Sequence, residues 1–295
     1  MADKATTVEE QISQLEKRGM KLGDKDKAKE NLLDIGYYRL GFYWFPFEKS
    51  YPKKHNRDHN FKEGTEFDYA IKLYYFDFDL RNIFLRYISR IEVHFRTTFI
   101  YHVSNAYKDN PYWYVDTSII EQKTIDSNEY QKVLNDLSKE YVIKLDKKNH
   151  GMRKYAPAWK ALEFMPFGTI IKLYNSLKNP HLRCDISKVY GISSPSQFNN
   201  YINTVRKLRN YCAHGKVLYD LKLDEAISSG PLGNLGNHKA MLSGMYMVLK
   251  YLLNKISANR VKEMQAEILK AFDRIPYQVV KNIVFNTSGI KIEDI

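Results

Sequence analysis

The chain has 295 residues, in which Lys and Arg outnumber Asp and Glu by 46 to 34, a formal charge of +12. Hydrophobic residues at 44% and charged residues at 27% are ordinary globular usage and exclude wholesale disorder. With only 14 glycines and 9 prolines, the chain has too few breakers for a turn-rich β-sandwich or barrel, so long helices are expected.

The opening Met1-Ala2-Asp3-Lys4-Ala5 has no apolar core of the kind a secretory signal carries. No apolar run approaches the roughly 20 residues of a membrane span. Two cysteines, Cys184 and Cys212, suit a reducing compartment. These features predict a cytoplasmic protein with no membrane partner, whose positive charge suits a polyanion.

Taken in order, Thr6-Thr7-Val8-Glu9-Glu10 has the spacing of a capping box, followed by Val8, Ile12 and Leu15 at helical period and a stop at Gly19. Asp24 or Asp26 caps a second predicted helix that ends at Gly36. The aromatic run from Tyr37 to Phe47 reads as a packing plug between helices, in preference to a base-stacking surface. Residues 50–64 read as a polar, basic loop. Phe67, Ile71, Tyr74, Phe78, Phe84, Ile88, Ile91 and Phe95 recur every three or four positions, which predicts one long helix from Thr65 to Tyr107. Asp77, Asp79 and Arg81 on it read as surface ion pairs. A connector over 108–126 precedes a predicted helix over 127–145 and a basic loop with Lys147, Lys148, Arg153 and Lys154.

In the second half, Pro157 and Pro166 stand ahead of two short predicted helices, and another covers 179–190. Ser194-Pro195-Ser196-Gln197 starts a helix running to His214, with Gly215 as its stop. Glycines at 230, 233 and 236 mark a loop, followed by helices near 238–256 and 258–273 and a tail carrying Pro276. The fold class is all-α. The predicted divisions are an N-terminal helical extension over 1–64, a bundle over 65–256, and a C-terminal helix and tail over 257–295.

Neither HExxH nor CxxC occurs, and there is no P-loop, so no metal or other cofactor is implied. The informative segment is Val205-Arg206-Lys207-Leu208-Arg209-Asn210-Tyr211-Cys212-Ala213-His214. Val205, Leu208 and Cys212 form its apolar face, and Arg206, Asn210 and His214 a polar stripe. Arg209 and His214, five positions apart, lie about 140° apart around a helix, flanking a groove. A guanidinium can hold a phosphate and offset charge growing on it, while an imidazole can exchange a proton near neutrality. A His capping carbonyls at a helix end is the plainer alternative. Asn82, Arg86, Arg90 and His94, spaced by four on the long helix, make a second stripe; it reads as an ion-paired or interhelical face first and an RNA-backbone groove second.

Several blocks together resemble the Abi family of abortive-infection proteins (AbiD/AbiF-like, Abi_2 type), whose relatives belong to the HEPN superfamily. These are Glu9-Glu10-Gln11 through Gly19, Ile35-Gly36-Tyr37-Tyr38-Arg39-Leu40 with Tyr43-Trp44-Phe45-Pro46-Phe47, Trp159-Lys160-Ala161-Leu162-Glu163 with Phe167-Gly168, and Leu208-Arg209-Asn210-Tyr211-Cys212-Ala213-His214. The last block is similar to the HEPN signature of Arg, then Asn, Asp or His, three residues, and His. The resemblance implies a HEPN-type helical bundle, here with additional N-terminal and C-terminal helices. It also implies a role in antiphage defence and metal-independent RNA cleavage by 2′-OH attack, at a site built from Arg209, Asn210 and His214 of two chains in a homodimer. Arg209 would bind phosphate, His214 act as acid or base, and Asn210 orient His214 or the ribose.

Many relatives follow the signature His with a basic-Leu-aromatic element. Here Gly215-Lys216-Val217-Leu218-Tyr219 follows, which leaves the extra basic contact to Lys216. The expected RNA-contacting residues are Arg206, Lys207, Lys216, Arg86, Arg90, His94, Lys147, Lys148, Arg153 and Lys154. The alternative function is a non-catalytic scaffold for a structured small RNA. A helical protein-interaction module is a third reading.

Overall fold

The computed structural model describes residues 4–151 and 153–295; Met1–Asp3, part of the opening stretch read above for a secretory signal, lies outside the described residues. Among the described residues the only regular secondary structure is helical, with a few isolated β-bridges, so the fold is all-α. None of these helices is long and apolar enough to cross a membrane.

Local chemistry sets most of the boundaries. α1 (Val8–Lys17) begins at Thr7, whose hydroxyl accepts from the Glu10 N–H while the Glu10 carboxylate accepts from the Thr7 N–H at 2.8 Å. α2 (Lys25–Ile35) is capped by Asp24 and closed by Gly36, and α3 (Tyr37–Trp44) follows at once. α4 (Phe67–Ala106) is one uninterrupted helix of 40 residues. α5 (Gln122–Ile125) is a single turn.

The helix predicted over 127–145 is two helices, α6 (Asn128–Leu137) and α7 (Tyr141–Asn149). Between them the Ser138 hydroxyl donates back to the Asn135 carbonyl at 2.6 Å, and the Lys139 and Glu140 N–H groups fold onto Asp136 and Leu137. That local competition breaks the ladder. α8 (Ala158–Ala161) and α9 (Phe167–Asn175) start directly after Pro157 and Pro166. α10 (Pro180–Val189) is capped by Asn179 and precedes α11 (Pro195–Ala213). α12 (Leu242–Ile256) and α13 (Ala258–Asp273) follow the predicted pattern. The expected C-terminal tail folds in part as α14 (Gln278–Ser288), closed by Gly289 at a left-handed φ of 72°.

The chain gathers into two compact units. The first takes the described residues up to Ile83, with Tyr211–Lys222 and Gln265–Ile295. Its α3 buries Leu40, Tyr43 and Trp44 while Tyr38 and Phe42 stay exposed, so the aromatic run is mainly packing. Tyr43 meets Tyr74 edge-on with ring centroids 5.2 Å apart, and Phe76 meets Phe272 at 4.6 Å. Within the basic loop, Arg57 is tied down by the buried Glu48 carboxylate and lies 4.3 Å from the centre of the Phe45 ring.

The second unit takes Phe84–Asn210 and Leu223–Met264. Its core is a knot of rings: Phe198 lies 4.9 Å from Tyr190, 5.5 Å from Tyr174 and 5.6 Å from Phe95, centroid to centroid. Several of its tyrosines suit this interior because their buried hydroxyls reach a main-chain carbonyl. Tyr130 donates to Tyr114 at 2.8 Å, Tyr114 to Ala156 at 2.9 Å and Tyr174 to Arg183 at 3.1 Å.

In α12, Gly244 lies so close to the His238 carbonyl oxygen that a Cβ there would sit 2.1 Å from it. Gly244→Ala is therefore expected to destabilise the protein by about 2–3 kcal/mol through overpacking against backbone, read as a lower urea midpoint.

Candidate functional site

α11 turns Val205, Leu208 and Cys212 into the interior, as the periodicity predicts. Arg206 donates from Nε to Asn203 Oδ1 at 3.1 Å, and its Cδ passes 3.6 Å from where a Cβ on Gly168 would stand. Lys207 is paired with Glu225. Arg209 and Asn210 are half-buried on the last turns, with Arg209 Nη1 donating to Asn210 Oδ1 at 3.4 Å. They are the last residues of the second unit's stretch of α11, and Tyr211 onward belongs to the first unit.

The helix ends one residue earlier than predicted, and the cap explains why. The Lys216 N–H donates to the Tyr211 carbonyl at 2.9 Å and the Gly215 N–H to the Cys212 carbonyl at 3.1 Å. With Gly215 at φ 61°, this is a Schellman cap in which glycine takes the left-handed position. His214 is thus the residue at the cap itself, and its side chain is exposed.

Beyond the cap the turn is held from outside. Arg39 of α3 donates to the Gly215 carbonyl, and Arg81 of α4 to the Lys216 carbonyl at 3.2 Å. Asp77 accepts from the Leu218 and Tyr219 N–H groups. Asp77 and Arg81 are therefore not the surface pair expected from sequence, being only 0% and 5% exposed. Asp79 does pair at the surface, with Arg274. A signal for the burial was present: Ala70, Leu73, position 77 and Leu80 share one face of α4, and the three apolar members are fully buried. Arg39 and Tyr43 lie in the run that the sequence marks as a packing plug, and their hydrogen bonds to Gly215 and Asp77 add a polar role to it.

The family profile described as "Abi-like protein" (Abi_2) matches residues 30–220. The chain belongs to the Abi-like family. Neither the curated proteins nor the solved structures contain a significant match. Membership suggests a part in abortive-infection defence. In this Abi-like protein the matched stretch takes in the Arg209–His214 segment and Arg39, Asp77 and Arg81, which hold the following turn.

Apart from Lys216, the remaining basic candidates fall into two neighbourhoods of the second unit. On α4, Arg86 and Arg90 are exposed, while His94 Nδ1 lies 2.8 Å from the Tyr190 hydroxyl. Farther along, Arg96 pairs with Glu92 at 3.2 Å and donates to the Met165 carbonyl at 3.0 Å. In the basic loop, Arg153 is bound to the buried Asp146, which also accepts from Lys160 at 2.7 Å. Burial alone would raise the Asp146 carboxyl, but these hydrogen bonds hold it below the usual carboxylate range. Lys148 is exposed. Lys147 and Lys154 line one cavity of about 250 Å³ with Tyr114, Tyr155 and Asn135. Lys216, in the first unit, has an exposed side chain.

Burial pushes the Cys212 thiol up to about 12, leaving about one part in ten thousand as thiolate at pH 8. A disulfide-exchange reagent at that pH should titrate one thiol per native chain, the half-buried Cys184, with the second appearing only in denaturant. His94 behaves differently, because burial holds its imidazole below its ordinary value. The unfolded chain then binds that proton more readily, so stability is lost as pH falls below about 6.5. His94→Gln should flatten the fall in melting temperature between pH 6.5 and 5.

Proposed function

We propose that this Abi-like protein is a HEPN-type endoribonuclease of abortive-infection defence, which binds RNA and cuts it at a site shared by two copies of the chain. The observation that carries this reading is the end of α11. Arg209 and Asn210 occupy its last turns and His214 its cap, with the imidazole exposed and the signature spacing intact. The helical fold and the family membership support the same reading.

The chemistry asks for few groups. An imidazole takes the proton of a ribose 2′-OH, whose oxygen attacks the adjacent phosphorus. The bond from phosphorus to the 5′-oxygen breaks, and that oxygen receives a proton from a second imidazole. The products are a 2′,3′-cyclic phosphate and a 5′-hydroxyl, and neither water nor a metal ion is consumed. Arg209, permanently charged, offsets the negative charge that grows on the non-bridging oxygens. Asn210 orients the ribose or the imidazole. One chain supplies one His214, whereas the reaction uses a base and an acid, which is the reason for a two-fold pair. Lys216 supplies the basic contact that relatives place just after the histidine.

The test uses the purified full chain with end-labelled RNA in EDTA. Cleavage leaving a cyclic phosphate is expected, reduced at least 100-fold in Arg209→Ala and in His214→Ala while the melting temperature moves by no more than about 2 °C. Wild type that holds a discrete RNA and leaves it intact would overturn the enzyme in favour of an RNA scaffold.

A further inference from the structure

We infer that Asp77, Arg81 and Arg39 are positioning residues for His214, acting through a clamp on residues 215–219; their role in cleavage rests on the function proposed above.

The clamp lies wholly within the first unit. Its centre is Asp77, whose Oδ1 accepts from the Leu218 N–H at 3.0 Å and the Tyr219 N–H at 2.8 Å. Its Oδ2 accepts from the Tyr43 hydroxyl at 2.9 Å and from Arg81 Nη1 at 2.6 Å. The same Arg81 nitrogen reaches the Lys216 carbonyl at 3.2 Å, and Arg39 donates to the Gly215 carbonyl. At the far end the Thr287 hydroxyl donates to the Tyr219 carbonyl at 2.7 Å, and the Tyr219 hydroxyl donates to the Phe42 carbonyl, also at 2.7 Å. Main-chain groups of residues 215, 216, 218 and 219 are thus each held by a side chain from α3, α4 or α14.

Two considerations make this more than general packing. A buried carboxylate–guanidinium pair is seldom the most stable filling for an interior, since apolar residues of equal volume do as well or better. What the pair does here is satisfy the main chain of one particular turn, which apolar side chains could not do. That turn begins at the residue after His214, and His214 is the cap residue, with an exposed side chain that makes no hydrogen bond or ion pair among the described residues of its own unit. The orientation of its imidazole is therefore inherited from the backbone on either side: α11 before it, the clamped turn after it. A proton-transferring group must be held to within about half an ångström.

The experiment follows His214 directly by NMR in the full-length chain, alongside turnover on RNA. In Asp77→Asn, which presents an amide N–H to donors, exchange of the Leu218 and Tyr219 amides should speed up at least tenfold and the His214 Hε1 resonance should move. Arg39→Ala removes one half-buried partner and keeps the test open should Asp77→Asn not fold. It should speed exchange at Gly215 and Lys216 at least tenfold, move the same resonance, and lower kcat at least tenfold with KM within twofold, while Arg39→Lys recovers most of the loss. An unmoved His214 resonance in Arg39→Ala, or unchanged kcat despite a moved one, overturns the positioning role. A wild type that cuts no RNA overturns the proposed function alone, and the resonance and exchange measurements still decide whether the clamp sets His214.

Discussion

A carboxylate with no access to water must be surrounded by donors, and Asp77 is. Burial pushes its carboxyl upward from the ordinary value, yet every polar group around it donates: a guanidinium, a phenol and two main-chain amides. These donors favour the ionised form, against the burial that penalises it. Through these bonds α3, α4 and the turn after α11 become one object, and Thr287 adds α14 to it. Removal of one member of such a pair costs on the order of 3–5 kcal/mol, because the other charge is left buried alone.

The second unit solves its interior by other means. Its centre is aromatic, with Tyr114, Tyr130 and Tyr174 each donating a buried hydroxyl to a main-chain carbonyl. Its buried charge, Asp146, lies beneath the basic loop and gathers Arg153 and Lys160. Part of the positive charge counted in the sequence is held in ion pairs, buried at Asp146 and at the surface where Lys207 meets Glu225. The exposed cations that remain, Arg90 and Lys148 among them, are the ones a polyanion would meet.

Helix positions were legible wherever a cap or a stop was written in a few adjacent residues. The Thr7–Glu10 box, Asp24, Asn179 and Ser194 all announce starts that the structure keeps. Where the outcome turned on competition between a side chain and the helix ladder, as at Ser138, pattern reading ran two helices together. α14 went unread because its buried positions, Val280, Val284, Thr287 and Ser288, mix apolar and hydroxyl residues that blur the period.

The sequence by itself determined the all-α class, the long α4, the family, and the Arg209–Asn210–His214 spacing, because each is a matter of residues near one another along the chain. Only the tertiary structure decided that Asp77 and Arg81 are buried, that Arg39 and Tyr43 join them, and that together they hold a turn about 140 residues downstream. The reason is that the apolar neighbours of Asp77 on its helix face hint at burial without saying which groups will meet the charge there. Its partners are supplied by main-chain amides, which every residue but proline carries and no pattern of side chains reveals.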